Sequence, residues 1–244
     1  FYMKKNIKRT TLRSLATLAA AAVICLASIA GHSLMPLSPV PVAIQNMLCI
    51  LAACILGGAQ GAGATGLFIL AGGLGIPVFA LGNGGIEHLT GQTGGYILGY
   101  FIAAAVSGLI AGSPFTFEKK FNIKNWLRIL YAALAGYAAV YIPGLLWLRH
   151  CILLNPESTF HALLKGQTAG EQFSRLVQIG LLPFIYYDIL KLTVTVPLSA
   201  LVRPFVAKIL YGSDEEEAAE LIESLKKKKA FFDALHLPHR QKKH

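Results

Sequence analysis

Charge is what this 244-residue chain has least of. Only 14% of its residues are charged, and no Asp, Glu, Lys or Arg stands between Ser14 and Ile86. Glu87 is then the only charged residue before Glu118. A soluble protein would carry charges on every exposed helix face. Charge-free apolar runs of about 20 residues are what a bilayer core requires, so the chain reads as an integral membrane protein.

Other absences narrow the function. The four cysteines form no CxxC and no metal-ligand spacing, which excludes a disulfide framework or a zinc site and leaves buried, inert thiols. The seven histidines are scattered, and none pairs with Cys, Asp or Glu at triad or ligand spacing. No catalytic set and no metal site emerge. Without a Walker A pattern the chain has no such route to ATP. No basic groove interleaved with aromatics suggests nucleic acid. No inverted repeat is visible, so a transporter made of this unit alone looks incomplete.

The charge that is present is clustered. The formal net charge is +10, and most Lys and Arg fall in Lys4–Arg13, in Lys119–Arg128 and after Leu201. By the positive-inside rule these regions are cytoplasmic, and the basic tail is suited to anionic lipid headgroups. Lys4–Arg13 before the apolar Leu15–Ala30 has the layout of a signal peptide, but the run is long for one. It is read as an uncleaved first helix. Ala16/Ala20 and Ala27/Gly31 place small residues four apart on it, the spacing that lets another membrane helix approach closely.

The expected fold is all-α, a polytopic bundle of six transmembrane helices. The first span is followed by an outer proline-rich loop, Gly31–Pro41. Val42–Leu56 is the second span; Gln45 and Asn46 within it must face protein. Gly57–Gly63 is expected as an inner turn and Ala64–Leu81 as the third span. Gly95–Ala111, Ile129–Leu148 and Leu176–Leu201 complete the set. Ser113–Arg128 is a basic inner loop, and Arg149–Arg175 an outer segment with a short surface helix. Tyr141 and Trp147 near the outer end of the fifth span fit an interfacial belt. Six crossings return both termini to the cytoplasm of a plasma-membrane protein. The expected domains are a basic N-terminus at 1–13, the membrane domain at 14–211 and a cytoplasmic tail at 212–244. The tail pairs Ser213 with Glu216 as a capping box and spaces Ala218, Leu221, Ile222 and Leu225 as an amphipathic helix.

One stretch, Ala71–Tyr100, holds ten glycines in thirty residues between apolar runs. Irregular backbone in lipid leaves N–H and C=O groups unpaired, at several kcal/mol each. These glycines must therefore meet water, line a cavity or pack into protein. The stretch reads as a ligand loop joining two membrane helices. Asp188 and Lys191 carry the sharpest chemistry. They stand three residues apart on one face of an otherwise uncharged span. Each costs about 2.5–3.5 kcal/mol near a bilayer centre unless paired or bound to a polar ligand. Gln45, Asn83, Thr93, Tyr96 and Tyr100 map to the same outer half, a few polar anchors in an apolar wall.

Pro36–Gln45, then GGLGIPVFA at 72–80, GNGG at 82–85, GQTGGYILGY at 91–100 and LLPF…D…K at 181–191 resemble, in this order, the BioY family. BioY proteins are biotin-specific substrate-binding subunits, or S components, of energy-coupling factor transporters. The resemblance implies a six-helix fold that captures biotin from outside without being an enzyme. It implies a transmembrane coupling protein and two ABC-type ATPases as partners, the ATPases alone binding ATP. It places ligand contacts at Gln45, at Asn83, Gly84 and Gly85, at Thr93, Gly94, Gly95, Tyr96 and Tyr100, and at Asp188 and Lys191. It assigns Ala16 and Ala20 to the coupling-protein contact. The chain departs from the family at Gln92, where a proline is usual, and at Tyr186-Tyr187, where Pro-Gly is usual. Another vitamin as substrate, or an intramembrane enzyme using Asp188 and Lys191 as acid and base, are the competing readings.

Overall fold

The computed structural model describes residues 2–33, 43–114, 122–156, 161–211 and 226. Nine α-helices and one 3-10 turn, Ala80–Gly82, make up the regular structure of these residues. The helices are α1 (Tyr2–Ser33), α2 (Gln45–Leu56), α3 (Gly58–Gly73), α4 (Ile86–Thr90), α5 (Gly94–Ala111), α6 (Ile123–Leu154), α7 (His161–Leu164), α8 (Ala169–Gly180) and α9 (Leu182–Tyr211). The expected proline-rich segment from residue 34 on and the expected tail helix from Ser213 lie outside the described residues, Lys226 apart.

The outside of the bundle is apolar. Leu15, Leu18, Val23, Leu26 and Ile29 of α1 are exposed, as are Leu98 and Leu109 of α5, Ile142 and Leu146 of α6, and Leu190 and Phe205 of α9. Patches of this extent do not survive in water; lipid tails are their natural solvent. Thr10–Gly31, α5, α6 and Leu182–Leu210 are each long and apolar enough to cross a bilayer. At 12 and 16 residues, α2 and α3 fall short of the roughly 20 that a full crossing takes.

Four expected elements have corrected boundaries. The inner turn at Gly57–Gly63 shrinks to Gly57 alone, whose φ of 89° reverses the chain in one residue. The third helix therefore runs Gly58–Gly73, not Ala64–Leu81. It stops early because Gly75 takes φ 99° and Pro77 follows, so the chain leaves the helix before the glycine loop. The expected sixth span splits at Leu181. Leu176 is the buried side of α8, which a Thr168–Glu171 capping box starts, and α9 begins at Leu182 with Pro183 in its first turn, where a missing N–H is harmless. The fifth helix is longer than expected. Asn122 caps its start by accepting from the Lys124 amide at 3.0 Å.

Lipid supplies little hydrophobic drive between helices, so close packing must hold them. Small residues make this possible between α5 and α6. A side chain at Gly95 would run into Trp147 and the Pro143 carbonyl, and one at Gly99 into Val140. The core lies between α2, α5, α6 and α9, around Ile50, Ala103, Ala133, Tyr137, Val140 and Val196. At the far end of α9, Arg203 is fully buried. It donates to the carbonyls of Cys54, Ala111, Gly112 and Ser113, the C-terminal ends of α2 and α5.

Candidate functional site: a cavity between α2, α5, α6 and α9

A cavity of about 150 Å³ lies at the end of the bundle that carries the N-termini of α5 and α9. Its position follows from the breaks in the chain. The short α2 starts only at Gln45, the glycine loop replaces helix after Gly73, and α9 starts only at Leu182. Room is therefore left at this end while the other end is packed shut.

The polar floor is a network around one carboxylate. Asp188 Oδ1 accepts from Asn46 Nδ2 at 3.0 Å and from Lys191 Nζ at 2.9 Å. Asp188 Oδ2 accepts from the Tyr141 hydroxyl at 2.5 Å. Lys191 Nζ also donates to Asn46 Oδ1 at 2.9 Å. The ion pair is nearly buried, with 11% of Lys191 and 7% of Asp188 side chain exposed. Desolvating two charges is offset only where further hydrogen bonds complete them, and Asn46 and Tyr141 do that here. Three helices, α2, α6 and α9, meet at this carboxylate.

The walls are aromatic and apolar. Tyr96, Ile97 and Tyr100 come from α5, Val140 and Tyr141 from α6, and Phe184 and Tyr187 from α9. Tyr96 is locked by donating to the Gly180 carbonyl at 2.8 Å and meets Tyr141 edge-on. The loop supplies the cover. Phe79 and Ala80 line the cavity with His88 and Thr93. The Phe79 ring stands edge-on to Phe68 and lies stacked on His88 at 5.5 Å. His88 Nε2 and Thr93 Oγ1 are hydrogen-bonded at 3.4 Å. Partial burial pushes the His88 imidazole below its ordinary value. Gln45 anchors the loop by donating to the Val78 carbonyl at 3.4 Å.

Of the residues that the sequence singles out, Gln45, Thr93, Tyr96, Tyr100, Asp188 and Lys191 line the cavity together. Asn83 is exposed, and its side chain donates to the Ala80 carbonyl. Gly84 packs against the backbone at Gly75–Ile76, and the Gly85 amide bonds the Gly72 carbonyl at 2.7 Å. Gly94 and Gly95 face Leu89 and Trp147. These glycines shape the loop and its docking instead of forming the wall. On α1, Ala16 is half-buried and Ala20 packs against the core.

The sequence reading missed several lining residues. Tyr141 is not a belt aromatic; it is buried against Asp188, and its place one turn beyond Tyr137 on the inner face of α6 was the available signal. Asn46 was legible as inward-facing, but its role between Asp188 and Lys191 was not. Phe79 and His88 carried no signal, because only the folded loop brings them over the cavity. Of the two tyrosines that depart from the family pattern, Tyr187 lines the cavity, while Tyr186 is 70% exposed on the outer surface.

Chemically, the arrangement suits a small, mostly apolar molecule with a few hydrogen-bonding atoms. Among the described residues, no group of His, Cys, Asp and Glu is placed to hold a metal ion. The family model described as "BioY family" matches residues 3–208. A protein named Biotin transporter BioY, from Thermotoga maritima, is 32% identical over 159 residues, 65% of this chain and 78% of that protein. A Probable biotin transporter BioY from Pyrococcus horikoshii is 31% identical over 168 residues, 69% and 83% of the two chains. The crystal structure of the S-component for biotin from an ECF-type ABC transporter matches with a TM-score of 0.51 and 25% identity. That match covers 82% of this chain and 93% of that one.

Proposed function

The chain belongs to the BioY family, and we propose that it is the biotin-binding S component of an energy-coupling factor transporter. The observation that carries this reading is the cavity floored by Asp188, Lys191, Asn46 and Tyr141 in a chain matched to the family almost throughout. Biotin combines an apolar bicycle, a ureido group with two N–H donors and one acceptor, and a carboxylate tail. The aromatic walls suit the bicycle, and the Asp188 network suits the ureido group. A carboxylate oxygen accepts from ureido N–H, and the Lys191 ammonium or a tyrosine hydroxyl donates to its oxygen. Leaving such buried groups unmatched costs about 1–3 kcal/mol each, which favours biotin over an apolar mimic. Membership of a transport family sets aside the enzyme reading of Asp188 and Lys191.

In this reading the cavity opens away from the cytoplasm and both termini lie on the cytoplasmic side of the plasma membrane. Transport engages a transmembrane coupling protein and two ABC-type ATPases, with α1 near Ala16 and Ala20 contributing to the coupling-protein contact. The glycine loop, from Asn83 to Gly95, closes over the bound vitamin.

Purification followed by mass spectrometry of the co-purifying small molecule tests the reading, backed by competition among biotin, thiamine and riboflavin. Biotin as the co-purified species and the winning competitor is the expected result. Thiamine or riboflavin in that place would make this an S component for another vitamin. No ligand and no ligand-induced thermal shift would overturn substrate capture altogether.

A further inference from the structure

The charges that line the cavity cancel before any ligand enters. Asp188 and Lys191 are paired at 2.9 Å, and among the described residues no other Asp, Glu, Lys or Arg lines the walls. A ligand with a carboxylate tail therefore brings an uncompensated negative charge into a half-desolvated site, which is unfavourable unless a positive charge appears beside it. Among the described residues, His88 is the one remaining lining group that can gain a positive charge near neutral pH. It sits with Thr93 at the N-terminus of the 18-residue α5, the end of a helix that favours an anion. Its ring is held in place by the stack on Phe79. Nε2 is engaged with Thr93, and Nδ1 has no hydrogen-bond partner among the described residues.

We propose that His88 receives the carboxylate end of the ligand and takes up a proton as it does so. The inference rests on the biotin reading above and adds to it the polarity of binding, ureido group at the Asp188 floor and carboxylate under the loop. The titratable groups that share the cavity with His88 are Tyr96 and Tyr100 of α5, Tyr141 of α6, and Tyr187, Asp188 and Lys191 of α9. Glu87 precedes it on α4 and is exposed. Asp188 and Lys191 already engage each other, so His88 is the lining group left to answer an incoming carboxylate. Burial already holds its imidazole below the ordinary value. The empty protein therefore has it neutral at pH 7, with a proton to gain.

The sign follows. Protonation favours the bound state, so affinity is greatest at low pH. It falls by up to about tenfold per pH unit as pH rises from the free to the bound pKa of His88.

Calorimetric titration of the full chain in lipid nanodiscs with biotin, at pH 7 in two buffers of different ionisation enthalpy, counts the protons. The expected uptake is about 0.5–1 proton per biotin. It vanishes for biotin methyl ester, which has no charged tail, and in His88→Phe, which keeps the ring stack on Phe79. His88→Asn serves as the second variant should the first fail to fold. Biotin binding with no proton uptake in the wild-type protein, or uptake that persists with the ester or in either variant, would overturn the assignment of His88 while leaving the biotin reading in place. No binding of biotin at all would overturn both.

Discussion

Tyr141 and Asp188, 47 residues apart in sequence, are joined by a hydrogen bond of 2.5 Å that ties α6 to α9 beneath the cavity. Among the described residues the phenol is the one donor to Oδ2, while Oδ1 is served by Asn46 and Lys191. Replacing Tyr141 by Phe removes a single oxygen and keeps the packing. It leaves a buried carboxylate oxygen without its donor, at a cost of about 1–3 kcal/mol. The melting temperature of the empty protein should fall, and biotin affinity should fall with it. Equal melting curves for wild-type and Tyr141→Phe protein would show the bond to be idle.

The ion pair predicts an asymmetry among three variants. Asp188→Asn leaves the Lys191 ammonium buried without its counter-charge, and Lys191→Met leaves the carboxylate in the same state. Breaking a buried pair from one side costs about 3–5 kcal/mol, whereas removing both charges is often near neutral. The double variant Asp188→Asn/Lys191→Met should therefore melt above either single one. All three should lose biotin affinity, because each removes at least one of the two charged groups that the floor offers to a ureido group. A double variant that keeps wild-type affinity would remove the pair from the binding site.

What the sequence makes legible divides by the kind of physics involved. Asp188 and Lys191 stood out because a charge inside an apolar span has a cost that only a partner removes. The helices α5 and α9 could be read because long apolar runs have one solvent that suits them. The break at Leu181 could not be placed, since Leu176–Gly180 is as apolar locally as the span that follows; what ends α8 is its docking on α6 and the Tyr96–Gly180 bond. The glycine loop was recognisable as special, but its division of labour was not. Glycine composition says that backbone comes close to something, without saying whether that is ligand or protein. Here Gly94 and Gly95 meet Leu89 and Trp147, while Phe79 and His88, unremarkable in sequence, cover the cavity.

Two glycines separate packing from backbone strain. A side chain at Gly99 would meet the Val140 carbonyl at 2.8 Å and the Pro143 ring at 3.1 Å. Gly99→Val should push α5 off α6 and lower stability by about 1–3 kcal/mol. Gly75 has open space around it but φ of 99°, so Gly75→Ala pays only the left-handed backbone cost of about 1–2 kcal/mol. Thermal melts compare the two. Further enlargement without β-branching, Ala to Leu, should worsen position 99 and leave position 75 nearly unchanged. Equal sensitivity to size at both positions would contradict the packing account.

Outside the membrane, Glu171 gives a pH-dependent signal. Hydrogen bonds from the Thr168 amide and hydroxyl hold its carboxyl below the usual carboxylate value. A depressed folded-state pKa contributes stability that is present above the unfolded value. That contribution is lost as pH falls through the folded one. Hydrogen exchange at the first-turn amides of α8 should therefore speed up, relative to those of α5, as pH drops below about 4.5 once the intrinsic pH dependence is removed. Glu171→Gln should flatten this response, and an unaltered response in that variant would place its origin elsewhere.

Arg203 is the counterpart of the cavity floor at the other end of α9. Its guanidinium is fully buried, and its partners are carbonyls left over where α2 and α5 end. The last four carbonyls of any helix lack intrahelical partners, and a buried helix end must find them elsewhere. A planar fork with five N–H donors reaches four carbonyls at once; a lysine ammonium cannot. Arg203→Lys should thus keep the charge but lose part of the clamp, lowering stability by at least about 1.5–3 kcal/mol, the worth of one charged hydrogen bond. Fifteen residues of helix separate Arg203 from Asp188, roughly 22 Å along the axis. The extra melting temperature conferred by saturating biotin should therefore be the same in Arg203→Lys and wild type, although both curves of the variant are shifted down. A variant that melts low and also loses the biotin increment would mean that the closed end of the bundle and the cavity share one equilibrium.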